Sequence, residues 1–257
     1  AFFAGEAEQF IRKDRDSKKP FCMVLSFYGP HLPVAPPQPW DTMLDPASVP
    51  LPENHVDPLT DKPGSQQNNS RCYKGATWTD AQFRDYIARY HGYCVYIDKQ
   101  IGRVLAALDQ QGLADDTIVI FTTDHGDMVG AHSFVFKLGS GYDELMRVPF
   151  VIRYPGGVRN DAASDALVQS IDVLPTLLDY CGVQAPAGVD GRTFRPLLEG
   201  KIQRFRDYVV THTNGTIMIR DARWKLVYTD ARPKAFLELY DLKERPLEVR
   251  NRAADPQ

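Results

Sequence analysis

The segment Phe121-Thr122-Thr123-Asp124-His125-Gly126-Asp127 places a carboxylate, an imidazole and a glycine directly after a run of apolar β-formers. A carboxylate oxygen beside an imidazole nitrogen can ligate a divalent cation. Ligand sites in open α/β sheets lie beyond the carboxyl ends of strands, where this pair falls. Gly126 lets the backbone turn sharply there. Taken alone, the segment favours a plainer reading: a strand-end turn with an Asp cap, since Asp and Gly are common turn residues. Downstream, Lys137 follows Phe134 and Phe136, an apolar setting for an ammonium, and His132 sits in the same loop. Upstream, Pro30-His31-Leu32-Pro33 reads on its own as a loop histidine held by prolines.

The elements that must position these residues follow the grammar of an α/β sheet. Residues 2–15 read as a helix, ended by Pro20. Phe21-Cys22-Met23-Val24-Leu25-Ser26-Phe27-Tyr28 is a continuous apolar run, expected as a strand covered on both faces with Cys22 buried. Residues 29–75 are rich in Pro, Asn, Gln and Ser and read as a long irregular excursion. From Thr79 or Asp80 a helix is expected, with Phe83, Ile87, Tyr90, Cys94, Ile97, Ile101, Val104 and Leu108 on one face, Cys94 buried, and Gly112 at its end. Ile118-Val119-Ile120-Phe121-Thr122 and the stretch from Val148 to Tyr154 are expected as further strands of a parallel sheet, and Asp172 to Cys181 as a short helix. After about Gly200, short β-prone pieces predict a small antiparallel sheet.

Composition narrows the class. The 257 residues are 43% hydrophobic and 25% charged, as in ordinary globular chains. A net charge of -3 gives no electrostatic case for nucleic acid or an anionic membrane, and no apolar run is long enough to span a bilayer. Cys22, Cys72, Cys94 and Cys181 are not spaced as C-x-x-C, which argues against a zinc ribbon or thioredoxin-type site.

In order along the chain, six stretches resemble the type I sulfatases of the alkaline phosphatase superfamily. They are Ser26-Phe27-Tyr28-Gly29-Pro30-His31-Leu32-Pro33, Asp98-Lys99-Gln100-Ile101-Gly102-Arg103-Val104-Leu105, Thr122-Thr123-Asp124-His125-Gly126-Asp127, Arg147-Val148-Pro149, Ile171-Asp172-Val173-Leu174-Pro175-Thr176-Leu177-Leu178 and Leu239-Tyr240-Asp241-Leu242. The resemblance implies an alkaline-phosphatase-like α/β sandwich, a mostly parallel sheet between helices, truncated at the N-terminus. It divides the chain into a partial catalytic domain over 1–200 and a C-terminal antiparallel subdomain over 201–257.

It also implies roles. Asp124 and His125 would be half of a divalent metal site, with Asp127 supporting them. Ca2+ is the expected ion, as in many members with Asn after the Asp; His125 shifts the preference toward Mn2+ or similar, as in a branch that includes phosphonate monoester and choline sulfate hydrolases. Lys137 would contact the sulfate and balance charge as the ester bond breaks. His31 would bond the ester oxygen or protonate the leaving alcohol, and His132 would join in substrate binding. The substrate class is a small-molecule or carbohydrate sulfate ester, with Trp40, Tyr73 and Trp78 as candidate stacking residues whose plainer role is core or hinge packing.

One departure matters. The family's nucleophile is a formylglycine made from Cys or Ser in C/S-x-P-x-R, and no such motif occurs; Ser48-Val49-Pro50-Leu51-Pro52 lacks the Arg. Nor does a strand ending in paired Asp precede Pro20. The chain is expected to be the C-terminal part of a sulfatase, with formylglycine upstream of it, and to be inactive alone. The alternatives are a phosphate or phosphonate ester hydrolase of the same superfamily, or a non-catalytic sulfatase-like module. Compartment and oligomeric state are not legible.

Overall fold

Helix α1 (Phe2–Gln9) continues as a π-helical turn over Phe10–Asp14, as the apolar spacing predicts. The computed structural model describes residues 1–69, 78–137, 140–213, 215–230, 234–245 and 247–255; Cys72 and Tyr73 lie outside them. The excursion after Gly29 contains two 3-10 turns and α2 (Gly64–Asn69). The longest element, α3 (Asp80–Gln110), starts at a capping box: the Thr79 hydroxyl accepts from the Gln82 N–H, and the Gln82 side chain accepts from the Thr79 N–H. Two otherwise unpaired donors are satisfied at once. Along α3, Val104, Ala107 and Leu108 pack on Ala4, Ala7 and Ile11 of α1, while Tyr86, Ile87 and Ala88 pack on Val49 of the excursion.

β1 (Val119–Thr122) and β2 (Phe150–Arg153) pair antiparallel, with Val119 opposite Arg153 and Thr122 opposite Phe150. This corrects the parallel pairing expected for these two runs. A loop and the short helix α4 (Asp143–Met146) join them, with no crossover helix to carry the chain back to a parallel start. The run from Phe21 to Tyr28 also departs from expectation. It is extended but joins no sheet among the described residues, and it alternates: Phe21, Met23, Leu25 and Phe27 pack toward α1 and α3 while Val24 is 90% exposed. Covered on one face only, it leaves Cys22 exposed; Cys94 is exposed as well. After β2 come α5 (Val173–Tyr180) and α6 (Arg195–Leu198).

β3 (Val209–Thr213), β4 (Thr216–Arg220), β5 (Trp224–Thr229) and β6 (Phe236–Asp241) form an antiparallel meander in chain order. Its sides are inverted relative to the usual apolar-in arrangement. Thr216, Lys225, Glu238 and Tyr240 are buried beside Met218 and Val227, while Ile217, Ile219, Leu226, Tyr228 and Leu237 are exposed. Lys225 Nζ donates to Glu248 Oε1 at 2.7 Å, to the Gly141 carbonyl at 2.9 Å and to Asp143 Oδ1. Arg220 Nη1 donates to both Asp143 oxygens at 2.7 Å. Lys62 Nζ donates to Tyr240 Oη at 2.8 Å and to the Glu248 carbonyl at 2.6 Å, and Tyr240 Oη donates to Glu238 at 2.5 Å. Burial pushes the Glu238 and Glu248 carboxyls above the usual range and the Lys62 ammonium below it. The meander is thus tied by buried ions to the excursion, to α4 and to the C-terminal tail.

Removing one partner from such a cluster strands the others without compensation. Lys225→Met should therefore lower unfolding free energy by about 3 kcal/mol or more. Lys19→Met, which breaks only the exposed pair with Asp16, should change it by less than about 0.5 kcal/mol. Urea denaturation of both variants checks this, and equal midpoints would refute it.

Candidate active site

Gly126 shows how the turn after β1 is built. Its N–H donates to the Leu145 carbonyl at 2.9 Å, and a Cβ placed on it would stand 1.8 Å from the Glu144 carbonyl oxygen. The residue is not among the positive-φ glycines. Glycine is needed here for close approach to α4 rather than for a sharp bend. The turn is thereby pressed onto the helix that the buried ions hold.

Just before it, Asp124 and His125 project from the end of β1. Asp124 Oδ1 accepts from the His125 N–H at 3.1 Å and the Thr123 hydroxyl at 3.3 Å; its side chain is 87% exposed. Slight burial pushes its carboxyl up, but His125 and these donors outweigh that and hold it below the usual range. His125 Nδ1 lies 2.7 Å from the Gly126 carbonyl. Nδ1 must then carry the proton, which leaves Nε2 as a lone-pair acceptor. Lys137 Nζ sits 3.0 Å from that nitrogen.

Lys137 is delivered by a short loop with a single organiser. Asp127 Oδ1 accepts from the Val129 and Phe136 N–H groups at 3.1 Å each and from the Tyr86 hydroxyl at 3.4 Å. The Met128 N–H donates to the Phe136 carbonyl and the Gly130 N–H to the Phe134 carbonyl, at 2.9 and 2.8 Å, zipping the loop shut. Met128, Ala131 and Phe134 bury into one apolar cluster and Val129 and Val135 pack on another, so both sides of the loop are held.

His31 completes the group. Its ring meets Phe136 edge-on at 4.8 Å, His125 at 6.3 Å and Tyr28 at 4.9 Å between centroids. His31 Nδ1 lies 2.9 Å from the Leu32 carbonyl, the same device that His125 uses. Asp124, His125, Lys137 and His31 therefore converge. His132, expected to bind substrate, does not. It is fully buried, with Nδ1 2.6 Å from Asp57 Oδ2, Nε2 3.0 Å from Asn54 Nδ2 and its ring stacked on Tyr142 at 4.1 Å. Both ring nitrogens are occupied away from solvent, so this residue serves the packing of the excursion. Trp78 likewise packs edge-on against Phe83 at 5.4 Å.

As a metal site the arrangement is half built. Asp124 offers a free carboxylate oxygen and His125 an imidazole nitrogen in the ligating tautomer, with a cation already beside it in the form of the Lys137 ammonium. The donor chemistry fits a divalent ion, but no cluster of three or more His, Cys, Asp or Glu ligands occurs among the described residues. The remaining ligands would have to come from elsewhere.

The sulfatase family profile matches residues 1–183, and the profile for the N-sulphoglucosamine sulphohydrolase C-terminal region matches residues 130–257. The chain belongs to the sulfatase family, within the alkaline phosphatase superfamily. It is 32% identical to the multifunctional alkaline phosphatase superfamily protein PehA of Trinickia caryophylli, over 99% of this chain and 55% of that protein. It is 34% identical to an arylsulfatase of Clostridium perfringens, over 80% of this chain and 43% of the relative. The chain thus spans about half the length of these relatives. Among solved structures, the phosphonate monoester hydrolase of Silicibacter pomeroyi superposes with a TM-score of 0.87 at 29% identity, covering 100% of this chain and 56% of that one.

Sequence reasoning missed Tyr86 and the main chain of Glu144, which position the site without chemistry of their own, and read Phe136 only as an apolar setting for Lys137. Asp127→Ala should open the loop that Asp127 closes. Amide exchange at Val129 and Phe136 should accelerate about tenfold or more, since each loses a bond to a charged acceptor. Asp127→Asn, which keeps an acceptor oxygen, should show a smaller change. Exchange measured by NMR decides it; unchanged rates in Asp127→Ala would refute the account.

Proposed function

We propose that the complete protein hydrolyses sulfate esters and that this chain supplies the cationic and proton-transfer half of the site. The observation that carries the reading is the close grouping of Lys137 Nζ, His125 Nε2 and the His31 ring beside Asp124. Asp124 and His125 would hold a divalent cation, Ca2+ or, favoured by the imidazole, Mn2+; when bound, it would add positive charge beside the sulfuryl oxygens.

Each residue of the chain has a task that its geometry permits. Lys137, a compact ammonium on a fixed loop, balances negative charge on the sulfuryl group as the ester bond lengthens. His31, with Nδ1 held by the Leu32 carbonyl, presents Nε2 to the ester oxygen and in its protonated form hands a proton to the departing alcohol. Phe136 packs edge-on against His31, and its ring lies 5.3 Å from Lys137 Nζ, which sets the spacing between the two groups. No C/S-x-P-x-R motif occurs in these 257 residues, and the formylglycine that the family uses would come from outside them.

A second reading is phosphonate or phosphate ester hydrolysis. His125 favours it, as does the likeness to a phosphonate monoester hydrolase. Both readings use the same hollow and differ in the charge and leaving group of the substrate.

In protein extended upstream to include the nucleophile segment, Lys137→Ala should lower kcat for para-nitrophenyl sulfate about 100-fold to 1000-fold. His31→Ala should cost about 100-fold, with the larger loss for poorer leaving groups. The 257-residue chain alone should show no turnover above its own Lys137→Ala variant. Full activity in the extended Lys137→Ala protein would end the sulfatase reading. Faster turnover of a phenyl phosphonate monoester than of the sulfate would select the second one.

A further inference from the structure

At the other end of the β1–β2 pair, a second cationic hollow lies apart from the one just described. Arg153 is the last residue of β2 and faces Val119, the first of β1, whereas Asp124 follows the far end of β1. At about 3.3 Å per residue, the five steps from Val119 to Asp124 separate the two places by roughly 16 Å. Arg153 lines a cavity of about 320 Å³ together with Tyr154, Val158, Arg159, Asn160 and Asp161. Its Nε and Nη2 atoms are buried and meet no acceptor among the described residues. Nη1 is outside that enclosed pair, so the cavity is where this guanidinium can meet a counter-charge. A buried guanidinium without an anion is strongly unfavourable, and an accessible one is a ready binding group.

The walls are rigid. The Gly157 and Val158 N–H groups both donate to the Tyr154 carbonyl, at 3.0 and 3.1 Å, and Gly156, just before them, takes φ +76°. Tyr180 Oη pins the Gly157 carbonyl at 3.0 Å, and the Arg159 N–H donates to the Leu198 carbonyl at 3.0 Å. The Arg159 side chain lies over Gly200, where a Cβ would come within 2.4 Å of Arg159 Cδ. Two guanidinium groups against one carboxylate, Asp161, leave the lining with one net positive charge.

We propose that this cavity binds a small, singly charged oxyanion, a carboxylate or a sulfate monoester, with Arg153 as its anchor and Arg159 as its second contact. The Nη1 edge of Arg153 and the Arg159 guanidinium can each donate to an anion oxygen, a fixed turn loses little entropy on binding, and Val158 and Tyr154 give a short apolar stem a place to lie. The site does not depend on the reaction assigned to the Lys137 hollow, and it can fail or stand separately.

The test is a titration of the 257-residue protein with sodium acetate and with sodium methyl sulfate, followed at the Arg Nε–H resonances by NMR, with sodium chloride at matched ionic strength as reference. The Arg153 resonance should shift saturably with half-saturation at about 1 mM to 10 mM. Arg159→Ala, an exposed change, should weaken this at least about tenfold, and Arg153→Met, followed at the Arg159 resonance, should do the same because the anchoring charge is lost. Lys137→Ala should leave it unchanged, which separates this cavity from the other hollow. The stronger response among the two anions names the ligand class. A linear shift matched by chloride, no shift with either anion, or a response abolished by Lys137→Ala would each overturn the proposal.

Discussion

One oxygen of Asp127 holds the N–H of Val129, two residues on, and that of Phe136, nine residues on. The placement of both Lys137 and His31 depends on this grip. The residue after Phe136 is Lys137, and the Phe136 ring touches His31, so the ammonium and the imidazole are both indexed to the same carboxylate. Burial pushes the Asp127 carboxyl above the usual range, and the N–H donors and the Tyr86 hydroxyl offset only part of that. A lysine carries about 2 kcal/mol of rotamer entropy on a flexible stem. Fixing its loop at both ends is the economical way to place its charge, because the side chain itself offers little rigidity.

The second constraint lies behind the site. Gly126 fits because Glu144 and Leu145 of α4 stand against it, and α4 begins at Asp143, which Lys225 and Arg220 clasp from the C-terminal meander. The meander therefore acts on the turn that carries Asp124 and His125 through two layers of contact. This accounts for its inverted sides. A face that must grip the start of a helix and the Glu248 carboxylate carries Lys225, Glu238 and Tyr240, and the aliphatic residues are left on the other side of the same pleat. Period-two alternation allows no other outcome once one face is committed to charge.

This explains what was legible in the sequence. Asp124, His125, Lys137 and His31 could be named because each chemistry-bearing residue sits in a short local pattern: a strand end, a Phe-flanked lysine, a proline-bracketed histidine. The long helix was legible from its stripe and its Thr79–Gln82 cap. His132 misled because proximity in sequence to Lys137 says nothing about direction. The left-handed backbone at His132, φ 51°, turns its ring away into Asp57, a partner 75 residues distant. The pairing of β1 with β2 was misread for a related reason. A buried apolar run has the same composition in a parallel and an antiparallel neighbour, and only the path of the intervening loop decides. The Phe21–Tyr28 run likewise names one packed face and cannot say what meets the other.

The two imidazoles share one further economy. His31 and His125 each point Nδ1 at the carbonyl of the following residue, so each is locked in the same tautomer by its own chain. The consequence differs with the neighbour. Beside Asp124 and the Lys137 ammonium, an Nε2 lone pair is useful only to a cation, which is the condition a ligand must satisfy. Against Phe136 and Tyr28, the same lone pair has no fixed partner among the described residues. A single backbone device thus suits one imidazole to the proposed ligand role and the other to the proposed acid–base role. What separates the roles is the charge that surrounds each ring, and Asp127 sets that by deciding where Lys137 stands.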